Sequence, residues 1–400
     1  IQDVDPLPSA GISAATLNAT AGANSVGYSP TNTYNVNTVG AKLKESISVK
    51  DFGATGDGVT DDTAAINAAR ASGAKNLVFP EGGYFTTGLV FDDTDSVINL
   101  HFVPGSYIKL KAAANRIALD IQKHTFSVSG ILDVRGTGTS MDGLNTIGVR
   151  HGTTSQGRAY CTIQHLKIAE NFSKRGFVSY ANVNVKIGRA DINAGSPVHG
   201  STCYGMSFEP GVAGSTAVMV EQAYISGGMR GFNGQALSWA DLGTLIVEYG
   251  GTASPAVNGA LHLEQCGTFM IRNIYGEQNQ RNMVLVDSSP VFLGGNMFES
   301  LASADSVTYV GSPFTDRGVT QVRGNTIRTT QLSPDNVSNR DLLIGTDMKV
   351  RISDNKVQFG KMTTTTTTGS LSTANTFETV ATVTNQSGDP ASRIAYRYVV

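Results

Sequence analysis

Beyond residue 160 the chain alternates apolar and polar positions in short runs, each closed by a small or polar turn, and the rhythm repeats. Alternation with period two sends every second side chain to the same side of a strand. The last strong apolar residues before successive turns are Ile168, Ile192, Ile225, Ile246, Ile274, Met297, Ile327 and Val357, at an average spacing of 27 residues. A second strand-like series lies between them, at 176–180, 204–208, 231–239, 260–263, 283–286, 307–310 and 342–344. Two strands per period at matching phases predict an all-β solenoid with several parallel faces, one coil per period. The fixed leucine pattern of a leucine-rich repeat is missing, and a propeller blade needs about 40 residues.

The N-terminal part reads differently. Residues 1–45 are rich in Ala, Asn, Thr, Ser and Gly, with Pro6, Pro8 and Pro30, and show no sustained hydrophobic period, so they are expected to form a neck or linker. At Ser46 a short strand begins with Ile47 and Val49, followed by tight turns through Gly53, Gly56 and Gly58. Thr60, Asp61 and Asp62 are good N-caps for a helix over 63–71, where Ala65, Ile66 and Ala69 make a small apolar stripe that Gly73 ends. Residues 46–361 are read as the solenoid. Residues 362–400, with a threonine tract and runs at 377–384 and 393–400 expected to form antiparallel strands, are read as a short C-terminal β cap that covers an open edge.

Composition narrows the function. A formal net charge of −2 and the lack of a basic run disfavour nucleic acid and anionic membranes as partners. The sequence has no apolar stretch near the roughly 20 residues of a membrane helix, so no membrane insertion is expected. Cys161, Cys203 and Cys266 are odd in number and widely spaced, which predicts buried free thiols rather than disulfides or a zinc site. Because residue 1 is Ile, the chain is expected to be an excised piece or processed product.

The run from Ser48 through Val49, Lys50, Asp51, Phe52, Gly53, Ala54, Thr55, Gly56, Asp57 and Gly58 to Thr60, Asp61, Asp62, Thr63, Ala64, Ala65, Ile66 and Asn67 resembles the N-terminal signature of the pectate-lyase-like superfamily found in many phage tailspikes. Leu77, Val78, Phe79, Pro80, Glu81 and Gly82 continue that pattern. The resemblance implies a right-handed parallel β-helix whose small helix plugs the open end of the core. It also implies homotrimerisation, attachment to a phage tail or baseplate through the N-terminus, location in the virion tail, and a bacterial surface polysaccharide as ligand. It leaves the reaction open, because one fold hosts several activities.

Strands on successive coils sit about 4.8 Å apart, so outward carboxylates at one phase form ladders. Glycoside hydrolysis needs two carboxyl groups, about 5 Å apart for retention and about 6.5–9.5 Å for inversion. Glu170, Glu248, Glu277 and Glu299 recur just after the marked strands, and alternation points Glu209, His262 and Glu264 outward on the preceding face, with Asp287 at a similar place one coil later. The aromatics Trp239, Tyr249 and Tyr275 cluster in sequence with Asp241, Glu248, Glu264 and Glu277. The catalytic acids are therefore sought among Asp241, Glu248, Glu264 and Glu277, and substrate contacts among Trp239, Tyr249, His262, Arg272 and Tyr275. No cofactor is expected, and calcium would need clustered Asp ligands that the sequence lacks on a candidate face. The leading reading is a polysaccharide hydrolase acting on capsule or O-antigen. A lyase using His262, Arg272, Tyr275 or Arg281, and a receptor-binding fibre without catalysis, are the alternatives.

Overall fold

The computed structural model describes residues 29–286, apart from 34–38, 93–96, 123–124, 137–143, 156–158, 170–171, 181, 196–202, 212–215, 252–257 and 280–282; farther on it describes the backbone of strands between 289 and 383. The chain winds around three faces, returning to each once per coil. In the second and third coils each face has its own strand. These are Asn76–Phe79 and Ile98–Phe102 on face I, Gly82–Thr86 and Ser106–Leu110 on face II, and Leu89–Phe91 and Ile117–Ile121 on face III.

The next six coils carry faces I and II on one long bent strand. These strands are Thr125–Arg135 in coil 4, Ala159–Ala169 in coil 5, Asn182–Gly195 in coil 6, Thr216–Gly227 in coil 7, Trp239–Glu248 in coil 8 and Thr268–Asn279 in coil 9. Both Ile98–Phe102 and Ser106–Leu110 pair with Thr125–Arg135, which identifies its two halves as two faces. Face III continues through Ile147–His151, Arg175–Ser179, Tyr204–Phe208, Arg230–Gln235, Leu261–Glu264 and Met283–Val286, always parallel. A strand that returns beside itself through such a connection is right-handed in nearly all proteins. The molecule is a right-handed parallel β-helix.

Glycine makes the bend between faces I and II. A Cβ on Gly130, which has φ +79°, would lie 2.0 Å from the Phe102 carbonyl oxygen, and one on Gly243 would lie 2.3 Å from that of Glu221. Only a residue without Cβ lets one coil turn so closely over another. Inside, Leu132, Leu166, Ala190, Ala223 and Leu245 stack in register, as do Val134, Ile168, Ile192, Ile225 and Val247. Phe177, Phe208 and Phe232 from three coils of face III pack with ring centroids 5.8 and 5.6 Å apart. Cys161, Cys203 and Cys266 are buried free thiols, as the sequence suggested.

The helix Thr63–Ala71 spans the expected residues and buries Ile66 and Ala69 against the first coils. Its capping differs from expectation. Asp62 is the N-cap but makes no side-chain cap bond; its buried carboxylate instead accepts the amides of Thr55 and Gly56 at 2.6 and 3.1 Å, fixing the preceding turn. Asp61 accepts the Thr63 amide at 3.0 Å.

Two readings of register need correcting. Ile246 does not continue the Ile168, Ile192 and Ile225 row; Val247 does, and Ile246 lies on the outer side, partnered with Tyr224 and Tyr275. A one-residue shift exchanges inside and outside. The segment 231–239 is also two elements, since Arg230–Gln235 closes face III and Trp239 opens face I of the next coil. Near the C-terminus, Lys361–Thr364 pairs with Arg340–Ile344 and Thr382–Val383 with Lys356–Gln358, both in parallel; the antiparallel strand expected within 377–384 is thus corrected, since the chain returns to the sheet edge in the same direction as in the earlier coils. The rest of 362–400 and nearly all of 1–38 lie outside the described residues.

Candidate functional site

On face III the outward side chains of coils 6 to 8 are polar, and several are buried. Ser207, Asn233 and His262 occupy one level of successive coils, and all three are buried. Burying polar groups is costly unless they bond to one another. Here Asn233 donates to the Ser207 hydroxyl at 2.8 Å, and the Ser207 hydroxyl donates to Glu209 at 2.7 Å. Glu209 also receives Arg175 Nε at 2.5 Å. Glu209 stands one residue past Phe208, the partner of Gly234, and Gln235 pairs with Glu264. Glu209, Gln235 and Glu264 therefore share one level of coils 6, 7 and 8. Gln235 donates to Glu264 at 3.2 Å, and His262 Nε2 lies 3.7 Å from the same carboxylate.

At the opposite end of these strands Arg175, Tyr204 and Arg230 form another rung, in register on coils 5, 6 and 7. The guanidinium carbons of Arg175 and Arg230 lie 3.8 and 4.9 Å from the centre of the Tyr204 ring. Such stacking contributes on the order of 0.5–2 kcal/mol per pair, depending on exposure. Arg230 donates to Asn233 at 2.7 Å and to Asn258 at 2.9 Å. Burial pushes its pKa below the usual arginine value, with Tyr204, Glu264 and Glu209 acting the other way. Tyr180, level with Glu209, has its phenol pushed upward by burial and by the Glu209 charge. The result is a polar trough in which arginines rooted at one end of the strands reach toward two carboxylates rooted at the other, Arg175 contacting Glu209.

A second group lies where face II ends in coils 7 to 9. Glu248 and Glu277 are direct partners on adjacent strands. The Tyr224 hydroxyl donates to Glu248 at 2.8 Å, and the Tyr275 hydroxyl to Glu277 at 2.5 Å. That bond to Glu248, with burial and nearby negative charge, pushes the Tyr224 phenol up to about 12. Tyr249 follows in the left-handed region at φ +56°, with 44% of its surface exposed. Asn279 braces this turn by accepting the Gly250 amide at 2.8 Å and donating to the Val247 carbonyl at 2.9 Å.

The residues singled out from sequence thus fall into three groups. Trp239 and Asp241 lie on face I, and Arg272, level with Gly243 at the corner, forms an ion pair with Asp241. Glu248, Tyr249, Tyr275 and Glu277 meet at the end of face II, and His262 and Glu264 lie on face III. The bend at Gly243 separates the first group from the second, although all lie close in sequence. Glu170, Arg281 and Asp287 fall outside the described residues, as does the side chain of Glu299. Sequence reasoning pointed Glu209 outward without selecting it, and it passed over Tyr180, Tyr204, Tyr224, Arg175, Arg230 and Asn258. The available signal was phase: Glu209 ends its strand as Glu264 ends its own.

The family model described as rhamnogalacturonase A/epimerase, pectate lyase-like, matches residues 46–115, the opening cap and first coils. Among curated proteins, a non-secreted LysM effector of Penicillium expansum is 41% identical over 85 residues, 18% of this chain. A plasmin and fibronectin-binding protein A of Streptococcus pneumoniae is 47% identical over 51 residues, 12% of this chain. The chain spans about 7% of the length of each of these relatives. Among solved structures, the Dettilon tailspike protein aligns over 86% of this chain and 67% of its own, with 15% identity and a TM-score of 0.49. The A-module of an Azotobacter vinelandii mannuronan C-5 epimerase aligns over 80% of this chain and 88% of its own, with 14% identity and a TM-score of 0.36.

Proposed function

For this pectate-lyase-like parallel β-helix with a polar trough along face III, we propose a polysaccharide depolymerase that hydrolyses glycosidic bonds. The observation that carries the reading is the common level of Glu209 and Glu264 with one coil between them. Two strand spacings give about 9.6 Å between their backbones, and side chains leaning toward a substrate bring the carboxyl groups into the about 6.5–9.5 Å range of inverting enzymes. Glu209, oriented by Arg175 and Ser207, takes the proton of the attacking water. Glu264, which has no arginine partner among the described residues, delivers a proton to the departing oxygen. Water thus replaces the leaving sugar with inversion at the anomeric carbon.

The biological setting we infer is a phage tailspike: a homotrimer held to the virion tail through residues 1–45, working outside the host on capsule or O-antigen. The opening-cap signature and the solenoid support it. Substituting Glu209→Gln and Glu264→Gln separately should lower kcat on a cleaved capsular polysaccharide on the order of 10²–10⁴-fold, with polymer binding retained. Proton NMR of the first product should show the inverted anomer. Full activity in both variants would sink the assignment.

A second reading rests on Glu248 and Glu277, whose adjacent strands give a spacing of about 4.8 Å, near the about 5 Å of retaining enzymes. The exposed Tyr249 beside them offers a face for a sugar ring. A retained anomer, with activity lost on Glu248→Gln or Glu277→Gln, would move catalysis there. Ultraviolet absorbance from an unsaturated uronate would point to a lyase, and binding without shortening to a receptor-binding fibre.

A further inference from the structure

Arg230 is a half-buried cation in the trough, and it donates to Asn233 and Asn258, both neutral amides. Among the described residues no carboxylate lies within ion-pair distance of it, in contrast to Arg150, paired with Asp120, and Arg175, paired with Glu209. A buried charge without a counter-charge is costly. The two amides and the Tyr204 ring orient the guanidinium without neutralising it. Its rung lies on the same outer face as Glu209 and Glu264, at the other end of the strands, within reach of a polymer lying across the trough. On its own coil the corner before it is short, with Gly228 and Met229 alone joining Gly227 to Arg230.

We propose that Arg230, backed by Tyr204 and Arg175, is a subsite for a carboxylate-bearing sugar of the bound polysaccharide. This rests on the depolymerase reading and adds the substrate class: an acidic polymer, with a uronate-type residue beside the scissile linkage. Arginine suits the task because its fixed fork of donors matches a carboxylate in two-point contact. The tyrosine beneath supplies a flat floor for the ring, and Asn233 and Asn258 keep the fork from rotating. Charged hydrogen bonds of this kind correspond to roughly ten- to a hundredfold in affinity.

The test uses purified capsular polysaccharides that contain glucuronate or galacturonate, each beside its carboxyl-reduced form, with neutral O-antigens as controls. Binding is measured by calorimetry to the intact protein and to Arg230→Gln and Arg230→Lys. At least one native acidic polymer should bind about tenfold or more tightly than its reduced form. Arg230→Gln should lose that preference and bind both forms alike, and Arg230→Lys should keep part of it. The comparison of native and reduced polymer on the unaltered protein needs no variant, so a misfolded Arg230→Gln would not blunt the test. Equal binding of native and reduced forms, a preference for neutral polymers, no binding to any acidic polymer, or an equal loss on both forms in Arg230→Gln would overturn the subsite. If an acidic polymer binds through Arg230 but is not cleaved, the subsite stands and the hydrolase reading falls. Cleavage of neutral polymers that depends on Glu209 and Glu264 would do the reverse.

Discussion

His151 is fully buried, with Nδ1 2.9 Å from the Ser179 hydroxyl and Nε2 without a hydrogen-bond partner among the described residues. Burial lowers its pKa from 6.5 to about 4. The unfolded chain therefore takes up a proton at a pH where the folded chain does not. Stability from this residue is complete above about pH 6.5 and declines as pH falls toward 4, by roughly 3 kcal/mol in total. Urea midpoints measured across that range should fall with pH in the natural chain and fall less in His151→Gln, which keeps a polar group facing Ser179. Tyr249 illustrates the opposite bargain. A bulky residue in the left-handed region costs about 1–2 kcal/mol, so Tyr249→Gly should hold or raise the urea midpoint. If face II contacts polysaccharide, the same variant binds polymer less tightly, and unchanged binding would remove that face from consideration. Residues of this kind are only partly legible in a sequence. Alternation shows that Glu264 and Glu209 point outward, but it cannot reveal that Arg230 curls back onto Asn233, because that contact depends on how the strand begins after Gly227 and Gly228.

At the scale of elements, the stacked rings of Phe177, Phe208 and Phe232 tie three coils together beneath the trough. Phe208→Ala should cost about 3–5 kcal/mol. It should also loosen the adjoining Ser207 and Glu209, which hydrogen exchange at coils 6 and 7 would detect as lost protection. Unaltered exchange there would show that the trough does not depend on this stack. The helix and the strand series could be read from the chain because their signals are local: a capped apolar stripe in one case, period-two alternation in the other. The placement of the acids was less visible. Trp239 and Glu248 belong to a single strand, and nothing in its period announces the corner at Gly243 that carries them to different faces. The corner exists because Gly243 passes so close to the Glu221 carbonyl, a contact made only after another coil is laid down.

At the scale of the molecule, the solenoid predicts a particular response to damage. Each coil touches mainly its neighbours, so stability is close to a sum of local terms. If the proposed trimer forms, light scattering should give a mass near three times 42.0 kDa, and a monomer mass would remove that part of the proposal. The parallel stack also has an arithmetic of its own. Backbone positions at one level of its wall stand a whole number of rungs apart, because backbone hydrogen bonds set the step. Their spacing can therefore change only in increments of about 4.8 Å, with side chains adjusting within each increment. Loss of the one coil between Glu209 and Glu264 would carry the pair from a gap that admits a water molecule to one that admits only direct attack, and gain of a coil would set them too far apart for either. On such a scaffold the stereochemistry of a reaction is a counted quantity, altered by the insertion or deletion of a coil rather than by gradual drift of a side chain.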